Sequence, residues 1–173
     1  MILPQSNDQL LLPVNPVFVA VSLLLAFGFN LLPMGRVPAM PDLLALTLVF
    51  WAVHQPRRVG VGIAFFCGLL MDVHEGARLG QHALSYTLLS FGAIAIHRRL
   101  LWFGPLAQAV QVFPLLLLAK LASLLARMAV GGMFPGWSLL LAPLFEAMLW
   151  PLATILLLAP QRRPPDPDET RPL

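Results

Sequence analysis

The chain alternates between long apolar segments and short polar ones. Because crossing a bilayer takes roughly 20 apolar helical residues, the six apolar segments predict an all-α integral membrane protein, a compact bundle of six transmembrane helices. The predicted spans are residues 14–32, 42–54, 59–73, 83–96, 103–130 and 137–159. We assign residues 1–163 to this single domain. The Pro-rich, charged residues 164–173 are expected to form a disordered cytoplasmic tail.

The second and third predicted spans are shorter than a bilayer requires. Three explanations fit such lengths: Arg side chains that snorkel to the surface, a thinned bilayer, or helices sheltered by neighbouring helices. The sequence leaves these explanations open, and with them the exact ends of the two spans.

Arginine pairs at every second gap predict the orientation. Basic residues in short loops stay on the cytoplasmic side of a membrane, so both chain ends are expected in the cytoplasm. Seven Lys and Arg residues, counting Arg171, then lie inside, against Arg36 and Arg78 outside. The topology determinants are Arg57, Arg58, Arg98, Arg99, Arg162 and Arg163.

Composition leaves little room for anything besides the membrane domain. The chain is 58% hydrophobic and 11% charged, whereas a soluble domain averages about 25% charged residues. The net charge of +3 follows from the cytoplasmic arginines and predicts no nucleic-acid partner. A lone cysteine, Cys67, cannot form a disulfide within the chain.

Lys120 and Glu146 are charges at predicted membrane depth, where charges are costly and seldom face lipid. At about 1.5 Å per residue, they lie about 15 Å and 14 Å below the outer surface. Their spans are joined by a short loop, so we expect the two side chains to pair. A structural ion pair is the favoured interpretation, and a partner- or ligand-binding site or a proton relay are the alternatives.

Residues 72–82 are the most polar stretch between spans. Asp72, His74, Glu75 and His82 suggest a metal site, but their spacing matches no strong metal-binding template. The favoured interpretation is a capped turn, with positive φ angles at its glycines and with Asp72 and Gln81 satisfying helix ends. The predicted outer-face turn and charge cluster comprises Asp42, Asp72, Glu75, Gln81, His82 and Arg127.

The sequence contains no pattern typical of an enzyme. Its serines lack a close His/Asp set or a G-x-S-x-G frame, and its one glycine pair after a basic residue, at Gly60 and Gly62, lacks the lysine of a phosphate-binding loop. We therefore predict no enzymatic activity, no cofactor and no metal.

Several short patterns, densest in residues 41–100, together resemble one family. They are Pro41-Asp42, QPRR at 55–58, G-L-x-x-D-V at 68–73, LGQHALSY at 79–86, HRRL at 97–100 and EAMLWPL at 146–152. In these features the chain resembles the proteobacterial form of the MreD family of rod shape-determining membrane proteins. The resemblance covers about residues 14–163 and consists of family-level patterns rather than catalytic signatures.

The resemblance implies a non-enzymatic scaffold or regulator in the inner membrane of a bacterial cell, in the complex that inserts side-wall peptidoglycan during cell elongation. It implies direct binding to the bitopic protein MreC, with the actin-like MreB, the glycosyltransferase RodA and a class B penicillin-binding transpeptidase in the same complex. It also implies a six-helix fold similar to the substrate-binding subunits of energy-coupling-factor transporters. The intramembrane Lys120/Glu146 pair and the outer turn would then shape the contact with MreC.

A substrate-binding subunit of a vitamin-type transporter is the alternative function. An intramembrane charged pair beneath an outward polar loop serves such a role as well. Against it, polar residues inside the spans are few and the chain has one tyrosine and four tryptophans for stacking. An enzyme acting on lipid-linked substrates is a third, less favoured possibility.

Overall fold

The computed structural model describes residues 14–32, 40–76, 80–134 and 136–161. These residues form six α-helices and two short 3-10 helices, without a strand, so the six predicted helical segments are confirmed as helices. The α-helices are α1 (Pro16–Asn30), α2 (Leu43–His54), α3 (Val61–Glu75), α4 (Gln81–Leu100), α5 (Pro105–Ala129) and α6 (Ala142–Leu158), with a 3-10 turn at Trp137–Leu141 before α6. The predicted tail and five arginines lie outside the described residues, namely Arg36, Arg78, Arg162, Arg163 and Arg171.

Helix ends follow local sequence signals. Asn15 caps α1 by accepting a hydrogen bond from Val17 N at 2.9 Å, as Asn does at this position in many helices. Pro105 is the first residue of α5, where its missing N–H leaves no donor unsatisfied. α5 ends at Ala129. Gly131, two residues later, has a left-handed conformation, φ +77°, which only glycine adopts readily.

Helix α2 is the core of the bundle. All ten of its residues from 44 to 53 are buried. It packs against α1, α4 and α6, and the contacts α2–α4, α4–α5, α5–α6 and α6–α2 close a ring of four helices. The two remaining helices lie outside this ring, α1 on α2 and α3 on α4.

The outer surface of the bundle is strongly apolar. More than thirty large hydrophobic side chains are exposed, among them Leu25 at 69% and Val110 at 73%. A soluble monomer does not present so much contiguous apolar surface, and lipid is the solvent that suits it. Two helical stretches of the described chain, Pro105–Ala129 and Trp137–Gln161, are long and apolar enough to cross a membrane, while α1 and α2 are apolar but shorter.

Two buried indoles join helix pairs. Trp51 Nε1 of α2 donates to Ser22 Oγ of α1 at 2.8 Å, and Trp150 Nε1 of α6 donates to Gln108 Oε1 of α5 at 3.1 Å. Both tryptophans are fully buried, so each donor would cost stability if it lacked an acceptor. These bonds set the register of α1 on α2 and of α6 on α5.

Candidate functional site

Asp42 joins four helices at one end of the bundle. Its Oδ1 accepts from Asn30 Nδ2 of α1 at 2.7 Å and from Ala45 N at 2.9 Å, which caps α2. Its Oδ2 accepts from the Tyr86 hydroxyl of α4 at 2.6 Å. The backbone N–H of Asp42 donates to Glu146 Oε1 of α6 at 2.9 Å. One residue therefore ties α1, α2, α4 and α6 together.

A second carboxylate, Asp72, holds the turn between α3 and α4. It is fully buried and accepts from Gly80 N at 2.8 Å, His82 N at 2.7 Å and Ala83 N at 3.3 Å. Its charge also lies at the N-terminus of α4, where the helix dipole favours an anion. The prediction that Asp72 satisfies a helix end is thus confirmed.

The turn has the backbone geometry expected of its glycines. Gly76 has φ +59° and Gly80 has φ +105°, a region that residues with a Cβ rarely adopt. Gln81 does not have the capping role that the sequence predicts. Its Nε2 donates to Ser123 Oγ at 3.1 Å, so the side chain links α4 to α5, and Asp72 does the capping.

His82 bridges two carboxylates. Its Nδ1 lies 2.9 Å from Asp72 Oδ1 and its Nε2 lies 3.6 Å from Glu75 Oε2. A carboxylate only accepts when ionised, so the bond to Asp72 places a proton on Nδ1. The His82 side chain is 12% exposed and that of Glu75 is 48% exposed. Glu75 is therefore the member of this group that faces outward.

A small polar cavity lies between α2, α4, α5 and α6. The cavity has a volume of about 20 Å³, which is enough for about one water molecule. Its polar lining consists of Asp42, His82, Ser85, Tyr86, Lys120, Ser123 and Glu146.

Lys120 and Glu146 line this same cavity. Glu146 is 2% exposed, and its Oε1 accepts from Asp42 N. Both salt bridges found among the described residues involve His82, so the Lys120 ammonium and the Glu146 carboxylate share a cavity without direct salt-bridge contact. Their pairing stays a prediction.

The structure brings most of the predicted outer cluster into one connected region. Of its members, Asp42 and His82 line the cavity together with Lys120 and Glu146, and His82 connects the cavity to Asp72 and Glu75. Arg127 is exposed near the end of α5 and is not among the residues that line the cavity.

Sequence reasoning did not assign Asn30 or Tyr86 to this site. Tyr86 is the chain's one tyrosine and is 1% exposed, and a buried tyrosine hydroxyl usually has a partner. That signal indicates a bond for Tyr86 but does not identify Asp42 as the acceptor. Asn30 carries no comparable signal, because an amide at the end of an apolar helix is equally typical of a solvated position.

At the opposite end of the bundle the described arginines are solvent-accessible. Arg57, Arg58, Arg98 and Arg99 are all exposed. Arg58 Nη1 donates to Val14 O at 2.6 Å, which fixes the start of α1 beside the end of α2. The described residues contain no group of three or more His, Cys, Asp or Glu side chains placed to hold a metal ion.

Comparison with known proteins points to one family. A family model described as rod shape-determining protein MreD matches residues 9–159. A protein of Haemophilus influenzae named rod shape-determining protein MreD is 29% identical over 129 residues, which covers 72% of this chain and 77% of that protein. No solved structure matches.

Proposed function

The chain belongs to the rod shape-determining protein MreD family, and on this premise we propose that it is a non-enzymatic membrane scaffold of the cell-elongation machinery. Family membership supports a role in cell shape. The finer assignment is an inner-membrane component of the complex that synthesises side-wall peptidoglycan. Its direct partner is MreC, with MreB, RodA and a class B penicillin-binding transpeptidase in the same complex.

The observation that carries this proposal is the set of hydrogen bonds that the buried polar groups make within the protein. Both Asp42 oxygens, both Asp72 oxygens and Glu146 Oε1 bond to other helices or helix ends. The space left between them holds about one water, whereas small-molecule pockets usually measure several hundred Å³. The arrangement stabilises one packing of the helices and leaves no room for a vitamin-sized solute. It favours a scaffold over a transporter subunit.

We propose six membrane spans with both chain ends in the cytoplasm. Val14 and Arg58 meet at one end of the bundle, while Asn30, Asp42, Tyr86 and Glu146 meet at the other. Successive helices that alternate in direction support this arrangement. The exposed arginines then lie on the cytoplasmic side, as the positive-inside rule requires. A likeness to the substrate-binding subunits of energy-coupling-factor transporters is part of the same proposal.

The outer turn between α3 and α4 is the proposed contact for the periplasmic part of MreC. Asp72, which is fully buried, and His82, which is 12% exposed, hold the turn. Glu75 is half exposed and is free to make a second polar contact with a partner. A charge at the rim of an interface contributes mainly to specificity and association rate.

Substitution at this turn tests the proposal. We expect Glu75→Gln to reduce chemical cross-linking between this chain and MreC in native membranes several-fold, because the substitution removes the outward-facing charge. His74→Gln is the matched control, since His74 is also exposed and adjacent in α3. Unchanged cross-linking in Glu75→Gln, or equal loss in both variants, would exclude Glu75 as a contact residue.

A further inference from the structure

The helices of this bundle differ in length. α1 and α3 have 15 residues each, which makes each about 22 Å long. α5 has 25 residues, or about 37 Å at the same rise. A typical hydrocarbon core is about 30 Å thick, so α1 and α3 are too short for it and α5 is long enough.

Charged groups mark both ends of α3. It begins three residues after exposed Arg58 and ends at half-exposed Glu75, followed by Gly76 in a left-handed conformation. Placing either end in hydrocarbon would leave a charge without water. The end of α1 sets no such limit, because Asn30 is bonded to Asp42 within the protein and is followed by Leu31 and Leu32.

Shelter by protein explains the short α2 but not α1 or α3. Residues 44–53 of α2 are all buried. In contrast, Val17 and Leu24 of α1 are 64% and 67% exposed, and Phe66 and Val73 of α3 are 61% and 69% exposed. These two helices therefore present their sides to lipid.

Snorkelling does not remove the mismatch either. A long basic side chain can reach from a short helix to the membrane surface, and Arg58 lies just before the inner end of α3. Its Nη1 is bonded to Val14 O, which holds it at the protein surface. The outer end of α3 carries Glu75, whose side chain is shorter and lies 3.6 Å from His82 Nε2.

We propose that this chain thins the bilayer locally around α3, and that the lipid of this thinned region covers its exposed face. The local hydrocarbon thickness there matches the helix length of about 22 Å, which is about 8 Å less than a typical core. Around α5 the bilayer keeps its usual thickness. The inference rests on the six-span topology proposed above.

Nitroxide labels at the outer ends of a short helix, α3, and a long helix, α5, test whether the local bilayer thickness differs between the two. In a Cys67→Ala background, Val73→Cys labels α3 and Val130→Cys labels the end of α5, both positions being exposed apolar sites, 69% and 58%. The full chain is reconstituted in dioleoyl phosphatidylcholine vesicles. Depth is read from the accessibility of each label to oxygen and to a water-soluble nickel complex.

Thinning predicts that both labels lie at the same interfacial depth. A label at Val73→Cys that lies about 8 Å deeper than the one at Val130→Cys would overturn the proposal, because α3 would then end inside a flat bilayer. Ascorbate added outside the vesicles separates this result from a failure of the topology. It reduces both labels from the same side if the topology is correct, and from opposite sides if it is wrong.

Discussion

At the scale of single residues, Asp42 has the largest structural role. It accepts hydrogen bonds from α1, its own helix and α4, and its N–H donates to α6. The sequence singled out Glu146 because charged residues in apolar spans are rare and costly, and it placed Asp42 in the outer-face charge cluster. It could not show that Asp42 and Glu146 are hydrogen-bonded, because a charge in an apolar segment does not identify its partner. Asn30 and Tyr86 are uncharged and lack even this signal.

Replacing Asp42 with Asn tests its linking role. Asn30 and Tyr86 both donate to Asp42, and an Asn side chain offers one acceptor oxygen and two donor hydrogens. At least one of these bonds is therefore lost. We expect Asp42→Asn to lower the free energy of unfolding in detergent by about 1–3 kcal/mol, measured by titration with sodium dodecyl sulfate.

Tyr86→Phe serves as the graded comparison for Asp42→Asn. It removes a single bond, to Asp42 Oδ2, and leaves the cap of α2 in place. Its cost should be smaller, about 1 kcal/mol. Wild-type stability in Asp42→Asn, or a larger loss in Tyr86→Phe than in Asp42→Asn, would show that Asp42 does not hold the helices together.

At the scale of elements, hydropathy predicted where helices lie better than where they end. The fourth span was expected at residues 83–96, whereas α4 runs from Gln81 to Leu100. Asp72 caps the N-terminus of α4 from a different helix, which no local pattern shows. At the other end His97, Arg98 and Arg99 continue the helix beyond the apolar segment, because basic residues are favourable in a last helical turn.

The contact between α3 and α4 depends on a glycine. A Cβ on Gly68 would lie 2.5 Å from Ala83 N and 2.7 Å from the carbonyl carbon of His82. These are backbone atoms at the start of α4, so they cannot move without shifting the helix. We expect Gly68→Ala to lower the free energy of unfolding by at least about 2 kcal/mol, measured by the same titration.

Gly62→Ala is the matched control on the same helix. A Cβ there would have no atom within 4 Å, and Ala has a higher helix propensity than Gly by about 1 kcal/mol. This variant should be as stable as the wild type or slightly more stable. If both variants lose stability equally, the loss is not caused by the close approach at Gly68.

At the scale of the whole molecule, the bundle has a basic end and an end with a buried polar network. The arginine pairs alone predicted which end of the bundle is basic, because the positive-inside rule acts on short loops regardless of how helices pack. The arrangement of helices could not be predicted in the same way. Lipid and protein interior are both apolar, so hydropathy does not show that α2 is buried on all sides while α1 and α3 face outward.

Two exposed tryptophans test the proposed topology. Trp102 and Trp137 are 89% and 77% exposed and lie at opposite ends of the bundle. In a Cys67→Ser background, a membrane-impermeant maleimide should label Trp137→Cys in intact spheroplasts and Trp102→Cys only after permeabilisation. Labelling of both positions from the same side would contradict the six-span arrangement.

Affinity purification from native membranes in mild detergent, followed by identification of the proteins recovered, tests the scaffold proposal most directly. Recovery of MreC together with RodA and its transpeptidase is the expected result, and Gly62→Ala should recover the same set. Recovery of a membrane coupling protein with paired ATPases, in place of MreC, would contradict the scaffold function and indicate a transporter subunit.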